Sequence, residues 1–401
     1  MCPRLILFVA LAGVVSGVSW PSPGRAQMPL DTRVLRPSSD PRAGLVLEPM
    51  GTSGSWEWNL GAWLRYAQAP VVLRDASSDA VIYRPVAHRL SVDVIGGIGL
   101  GDRVSVGFDV PVAPWQDSSA ALPGSVVGGG SIARSAMGDV ALLGKITLVG
   151  NERQGVRGGF GVAVLETVTL PTGSRNGLEG EGAVTASARV AGEWALGVGG
   201  VQGQIGFAAR TAERSVQEPS GGVVRLGESI PWSFGLMMRP RALMSALDSS
   251  DIQSWELALH GSLPAGPVAP WGLGSPGASV LSPVLLAVDD RIALSSSRDI
   301  YVLGGLDIGL NHAIGVPEIE GILGCGWAPR EHDSDHDGVP DNVDQCPDLP
   351  EDRDGIQDDD GCPEDDADED GVPDTEDACP LIPGARSTDR KHNGCPTSAK
   401  D

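Results

Sequence analysis

Aromatic residues are scarce in this sequence, at 4%, with 3 Tyr and 5 Phe beside 10 Trp. Basic residues are outnumbered by acidic ones, 29 to 52, for a formal net charge of -23. That deficit excludes nucleic acid as a general partner, because a phosphate binder needs a basic face. Only 6 histidines are present. They are scattered (His88, His260, His312, His332, His336, His392) with no metal-ligand or nucleophile–base spacing, which argues against an enzyme. No apolar run reaches the roughly 20 residues of a spanning helix, and helical three-four spacing is sustained nowhere. Glycine and proline are abundant, at 55 and 31 residues.

Charge divides the chain of 401 residues in two. Glu331 to Asp401 holds 24 acidic and 5 basic residues, a net of -19, which leaves the first 330 residues with 28 acidic and 24 basic. A nearly neutral, Gly-rich body is thus succeeded by a strongly acidic tail. Before both lies a leader: Arg4, an apolar stretch from Leu5 to Val18, and small residues ending at Ala26. Residues 1–26 have the layout of a secretory signal peptide, and export permits disulfides in the rest of the chain. Cys2 precedes the apolar stretch, so no lipoprotein attachment site is expected.

The body alternates with a period of two. Trp56, Trp58, Leu60, Ala62, Leu64 and Tyr66 occupy one face, and Glu57, Asn59, Gly61, Trp63 and Arg65 the other. Leu90, Val92, Val94, Ile98 and Leu100 repeat the pattern, Gly101-Asp102 supplies a turn, and Val104 to Val110 alternates again, which predicts a hairpin. Further runs end with Ile319, Gly321, Leu323, Cys325 and Trp327. The body, 27–330, is therefore expected to be all-β. The runs have the 9–11 residues of a membrane-spanning strand rather than the 5–6 of a sandwich strand. Their polar faces suit a wet lumen, and Trp56, Trp194, Trp255 and Trp327 fall at strand ends. The expectation is an antiparallel transmembrane barrel of about 10–14 strands; the alternative is a secreted or surface calcium-binding adhesion protein with a β-sandwich body. Prolines between Leu263 and Val284 leave the strand count open there.

The tail carries the specific signal. Counting Asp333 as position 1, acidic residues fall at 1, 3, 5, 9 and 12 (Asp333, Asp335, Asp337, Asp341, Asp344), with Gly338 at 6 and Val339 at 7. This is the spacing of a calcium loop, in which alternate carboxylates converge on a hard cation, position 7 offers a carbonyl and glycine permits the reversal. After 33 residues it recurs as Asp366, Asp368, Asp370, Gly371, Val372, Asp374 and Asp377. A shorter version (Asp352, Asp354, Asp358, Gly361-Cys362-Pro363) lies between, and its own equivalent keeps Gly394-Cys395-Pro396 but no carboxylates. Equal spacings of 16 favour disulfides Cys346–Cys362 and Cys379–Cys395 over a nested pairing, Cys362–Cys379 inside Cys346–Cys395. Cys325 is left over. With almost no apolar side chains, the tail needs metal and disulfides to fold.

These tail residues resemble thrombospondin type 3 repeats, the match being specific over 333–347 and 366–380, with repeats spanning 331–397 and a short end at 398–401. An exported barrel joined to such repeats resembles the OmpA-family outer-membrane proteins of Gram-negative bacteria. Met137-Gly138-Asp139-Val140-Ala141-Leu142, Leu170-Pro171-Thr172-Gly173 and Gly180-Glu181-Gly182 are similar to stretches common in those barrels. The resemblance implies a non-enzymatic barrel, either a structural anchor or a small-solute pore, set in outer-membrane lipid with a calcium-binding stalk in the periplasm. It adds an adhesion role with an envelope protein or cell-surface partner only loosely. The family's peptidoglycan-binding domain has no counterpart before Asp401, so peptidoglycan binding is not expected.

Overall fold

A computed structural model describes residues 31–54, 56–74, 81–101, 103–118, 132–150, 159–174, 177–196, 199–211, 214–217, 223–238, 253–265, 282–294 and 299–329. In the tail it describes 339, 344–346, 349–351, 361–363, 366, 368, 370–374 and 376–396. The leader lies outside the described residues. The chain divides into two compact units, the first ending at Pro329 and the second beginning at Arg330.

The first unit is built from strands, and no helix occurs among its described residues. In chain order these are β1 (Trp58–Arg74), β2 (Val81–Gly99), β3 (Val104–Ser118), β4 (Ala136–Met137), β5 (Ala141–Val149), β6 (Gly159–Thr169), β7 (Thr185–Leu196) and β8 (Gly199–Arg210). The series continues with β9 (Arg214–Gln217), β10 (Val223–Leu226), β11 (Glu228–Met238), β12 (Gln253–Ala265), β13 (Val284–Ala293), β14 (Ile300–Gly309) and β15 (Ile319–Trp327). Setting aside the short β4 and the separate β9–β10 hairpin, 12 strands pair antiparallel in chain order. The ring closes where β15 pairs with β1, Leu60 opposite Trp327 and Leu64 opposite Leu323. Closure gives every strand two partners and leaves no open edge, which a lipid environment requires. The strand count falls within the expected 10–14, and the expected hairpin forms with β2 ending at Gly99 and β3 beginning at Val104.

Polarity decides between barrel and sandwich. The apolar positions of the alternation point outward and stay uncovered: Leu323 is 65% exposed, Trp194 66%, Phe160 61% and Ile205 61%. The polar positions are the buried ones, with Arg65, Arg89, Asp93, Asp109, Gln202 and Asp307 all hidden. A soluble sandwich buries apolar residues between its sheets; this ring does the reverse, as a barrel facing lipid must. The sandwich alternative is therefore discarded. Trp58, Trp194, Trp255 and Trp327 all stand near the mouth at which β1 begins and β15 ends, and an aromatic belt belongs at such an interface. Cys325 faces outward on β15 with a free thiol.

The expectation of a wet lumen needs correction. Residues 31–54, which carry no two-residue periodicity, thread the interior. Leu35, Leu45 and Leu47 form an apolar cluster inside the ring with Trp63, Ile95, Ala258, Ala287, Leu303 and Ile322. Burying such side chains contributes about 1.5–3 kcal/mol each.

Candidate metal centre and lumenal segment

The tail is positioned by its own repeat. In the second long loop, Asp366, Asp368 and Asp370 bring ligand oxygens within 4.8 Å of one another. Local hydrogen bonds set this convergence. The Asp366 carboxylate accepts the N–H groups of Asp370 at 3.2 Å and Gly371 at 2.7 Å. The Asp370 carboxylate accepts those of Val372 and Gly384, both at 2.8 Å. Gly371 lies at φ 85°, where a side chain is strained, so the turn needs glycine. Val372, at position 7, is buried. Asp374 and Asp377 stand outside the group of three oxygens, although Asp377 is tied to the same loop by accepting the Cys379 N–H at 2.6 Å.

Among the described tail residues, Oδ2 of Asp344, of Asp368 and of Asp377 is buried and lacks a hydrogen-bond donor. Hiding an anionic oxygen from water without a partner is costly, and a hard cation removes that cost. The donor set, all oxygen, is the kind calcium takes. Burial, with the Asp370, Asp377 and Asp366 charges added, pushes the Asp368 carboxyl above its ordinary value, against the Asp370 N–H that pulls it down.

Disulfides join Cys346 to Cys362 and Cys379 to Cys395, with Cα atoms 5.1 Å apart in each pair. The sequence reading missed what the glycine beside each second cysteine does. Gly361 and Gly394 lie at φ 77° and 75°. A Cβ on Gly361 would collide with the Asp344 carboxylate, and one on Gly394 with that of Asp377. Each short half therefore folds back on the last aspartate of the long loop before it. This explains why the final half keeps Gly-Cys-Pro after losing its carboxylates. The recurrence of that tripeptide after 33 residues was the available signal. Of the other expected ligands, Asp333, Asp335, Asp337, Asp341, Asp352, Asp354 and Asp358 lie outside the described residues; Val339 is half-buried and Asp344 is buried.

In the barrel, the three body stretches singled out from sequence meet at one mouth. The Asp139 carboxylate accepts the N–H groups of Gly173 and Glu181, both at 2.7 Å. Glu181 in turn holds Arg210 at 2.7 and 2.9 Å. Gly173 and Gly180 approach so closely that a Cβ on either would lie within 2.8 Å of the other's Cα.

The lumenal segment runs from that mouth to the opposite one. Asp31 bridges Glu179, and Arg33 reaches Glu179 at 3.2 Å and Asp93 at 3.7 Å. Midway, Asp289 accepts the Leu45 N–H at 2.9 Å, and Glu256 accepts those of Val46 and Leu47 at 3.0 and 2.9 Å. Lys145 donates to Asp40 at 2.5 Å and to the Pro49 carbonyl at 2.9 Å. At the far end, the Trp56 N–H donates to the Gly99 carbonyl at 2.9 Å. Within the lumen Ser233 pairs across the strands with His260, whose Nε2 meets Asp307 at 2.9 Å. The Ser233 hydroxyl has no hydrogen-bond partner, so a nucleophile–base pair is not formed.

Residues 325–353 and 351–387 match the thrombospondin type 3 repeat. No curated protein sequence matches the chain. Among solved structures, similarity is found to the COG4313 outer membrane channel from Pseudomonas putida F1, at 12% identity over 70% of this chain and 99% of that one, with a TM-score of 0.45. The NanC porin matches at 9% identity over 68% and 99%, with a TM-score of 0.38. The Ralstonia pickettii toluene transporter TbuX matches at 8% over 70% and 90%, with a TM-score of 0.32. These similarities lie in the barrel architecture and carry nothing about substrate.

Proposed function

We propose that this chain is a non-enzymatic outer-membrane barrel that carries a calcium-binding, disulfide-linked repeat region on the periplasmic side. The observation that carries the membrane reading is the reversed polarity of a closed ring, apolar outside and charged within. Calcium is supported by the thrombospondin type 3 repeats and by the converging Asp366, Asp368 and Asp370 oxygens. The second ion is assigned to Asp366, Asp368, Asp370, Asp374 and Asp377 with the Val372 carbonyl. The first is assigned to Asp333, Asp335, Asp337, Asp341 and Asp344 with that of Val339. Asp352, Asp354 and Asp358 add a weaker site or share these ions. The acidic tail repels itself, and each divalent cation removes two charges while linking carboxylates.

The connections between strands support the orientation. At the mouth where β1 begins and β15 ends, successive strands are joined across 100–103, 150–158, 197–198, 239–252 and 294–299; at the other they are joined across 75–80, 119–140, 170–184, 211–227, 266–283 and 310–318, four of these being longer than any at the first mouth. Short turns face the periplasm in such barrels and long loops face outward, which favours the periplasmic side for the chain leaving Trp327. Two measurements test the reading on the full chain. Fractionation should release it with detergent and not with salt; release by salt alone contradicts the barrel. Calorimetric titration should give calcium binding at about 10⁻⁴–10⁻³ M, and Asp366→Asn with Asp368→Asn should reduce the heat. No heat by millimolar calcium contradicts the metal site.

A further inference from the structure

We propose that residues 31–54 are a plug that holds the barrel closed, so that solute crosses only when this segment leaves its seat. The proposal rests on the barrel reading above. Barrels of 8 strands are filled by their own side chains, and those of 16–18 leave an aqueous channel. A ring of 12 strands lies between and has room for a threaded chain. Here the wall is cut back where the segment lies. A Cβ on Gly161 would lie 2.8 Å from Met50, one on Gly305 2.8 Å from Leu45, and one on Gly97 2.9 Å from the Ser39 carbonyl oxygen.

The wall also supplies the partners that a non-strand segment's backbone needs. Beyond Lys145, Glu256 and Asp289, Arg65 donates to the Leu35 carbonyl at 2.9 Å and Asn59 to that of Ser39 at 3.0 Å. Arg291 donates to the Pro41 carbonyl at 2.7 Å and Thr147 to that of Met50 at 2.6 Å. The seat is thus specific along its length, from Asp31 at one mouth to Gly54 at the other.

Nothing in the seat belongs to the barrel's own ladder. The segment contributes one isolated bridge, Asp31 to Glu179, and every wall strand finds its two neighbours without it. It can therefore leave while the ring stays closed. Beside it, a cavity of about 320 Å³ runs from Glu181 and Arg210 near the outer mouth down to Glu48 and Lys145. This vestibule is where a polar solute would stand against the plug, facing Arg36, Arg189 and Ser233.

The test is planar-bilayer conductance of the full chain, of a variant with residues 40–50 replaced by an equally long Gly/Ser linker, and of Lys145→Met with Glu256→Gln. The unmodified chain should be closed for most of the record. The linker variant should conduct at least about tenfold more. The double variant, with every ladder bond intact, should open to the linker variant's level in brief events. The plug is overturned if the unmodified chain conducts steadily at the linker variant's level. It is equally overturned if both variants insert as heat-modifiable barrels and neither exceeds the unmodified chain. Recovery of all three without detergent would instead overturn the barrel reading itself.

Discussion

The barrel satisfies its backbone through a ladder of 12 closed strands and turns its apolar side chains outward. The acidic tail has no strand among its described residues, and Val372 is the apolar side chain it buries there. The barrel can do without an apolar core of ordinary size because lipid takes up its exposed Leu, Val and Trp faces and charged pairs fill its interior. The described residues of the tail have no such ladder. The tail relies on two covalent links and on carboxylates arranged for a cation. On the reading proposed above, one chain thus holds a region whose stability depends on its solvent and a region whose stability depends on an ion.

That contrast predicts separable failures. The largest effect should come from Cys379→Ser with Cys395→Ser, which opens the second repeat at a cost of about 2–5 kcal/mol. Limited proteolysis should then cut the tail while the barrel fragment survives. Cleavage that spreads into the barrel would erase the separation. Next, Leu323→Arg places a charge on the lipid face and should cost about 2–4 kcal/mol, read by urea unfolding from vesicles. The same change at exposed Leu381 in the tail should stay within about 0.5 kcal/mol. Equal effects would mean that the two regions meet the same solvent.

Smaller still is Gly394→Ala. Its backbone lies at φ 75° and its Cβ would strike the Asp377 carboxylate, so about 1–3 kcal/mol is expected, measured as weaker calcium binding with unchanged heat-modifiability. The smallest effect is with pH. The Asp368 carboxyl is raised, so its protonated form is favoured sooner as pH falls than for a free aspartate. Protons should compete with calcium from above the ordinary aspartate range downward, weakening binding before the barrel responds. Affinity that is flat until the ordinary range would contradict this.

The sequence made the ring legible because alternation is a local property. Leu60 to Tyr66 and Val104 to Val110 each declare two faces, and the pleat then decides which side chains share a side. Distance along the chain hides the rest. The partners of Leu45 and Leu47, Asp289 and Glu256, lie more than 200 residues away. Residues 31–54 have no period to betray a segment bound by wall side chains instead of a ladder. The inward Glu, Asp and Arg were visible, but whether they faced water or a plug depended on those long-range contacts. In the tail, the aspartate spacing pointed to the convergence of Asp366, Asp368 and Asp370, because those residues lie within one short run of chain. The contact of Gly394 with Asp377 was less plain, since a Gly-Cys-Pro tripeptide does not say which carboxylate it covers.

The most direct test of the account is protease protection of the full oxidised chain in detergent across a calcium titration, with fragments resolved by mass. The account predicts a barrel fragment that resists at every calcium concentration and a tail that becomes protected at about 10⁻⁴–10⁻³ M calcium. A tail cut equally fast from zero to millimolar calcium would contradict it.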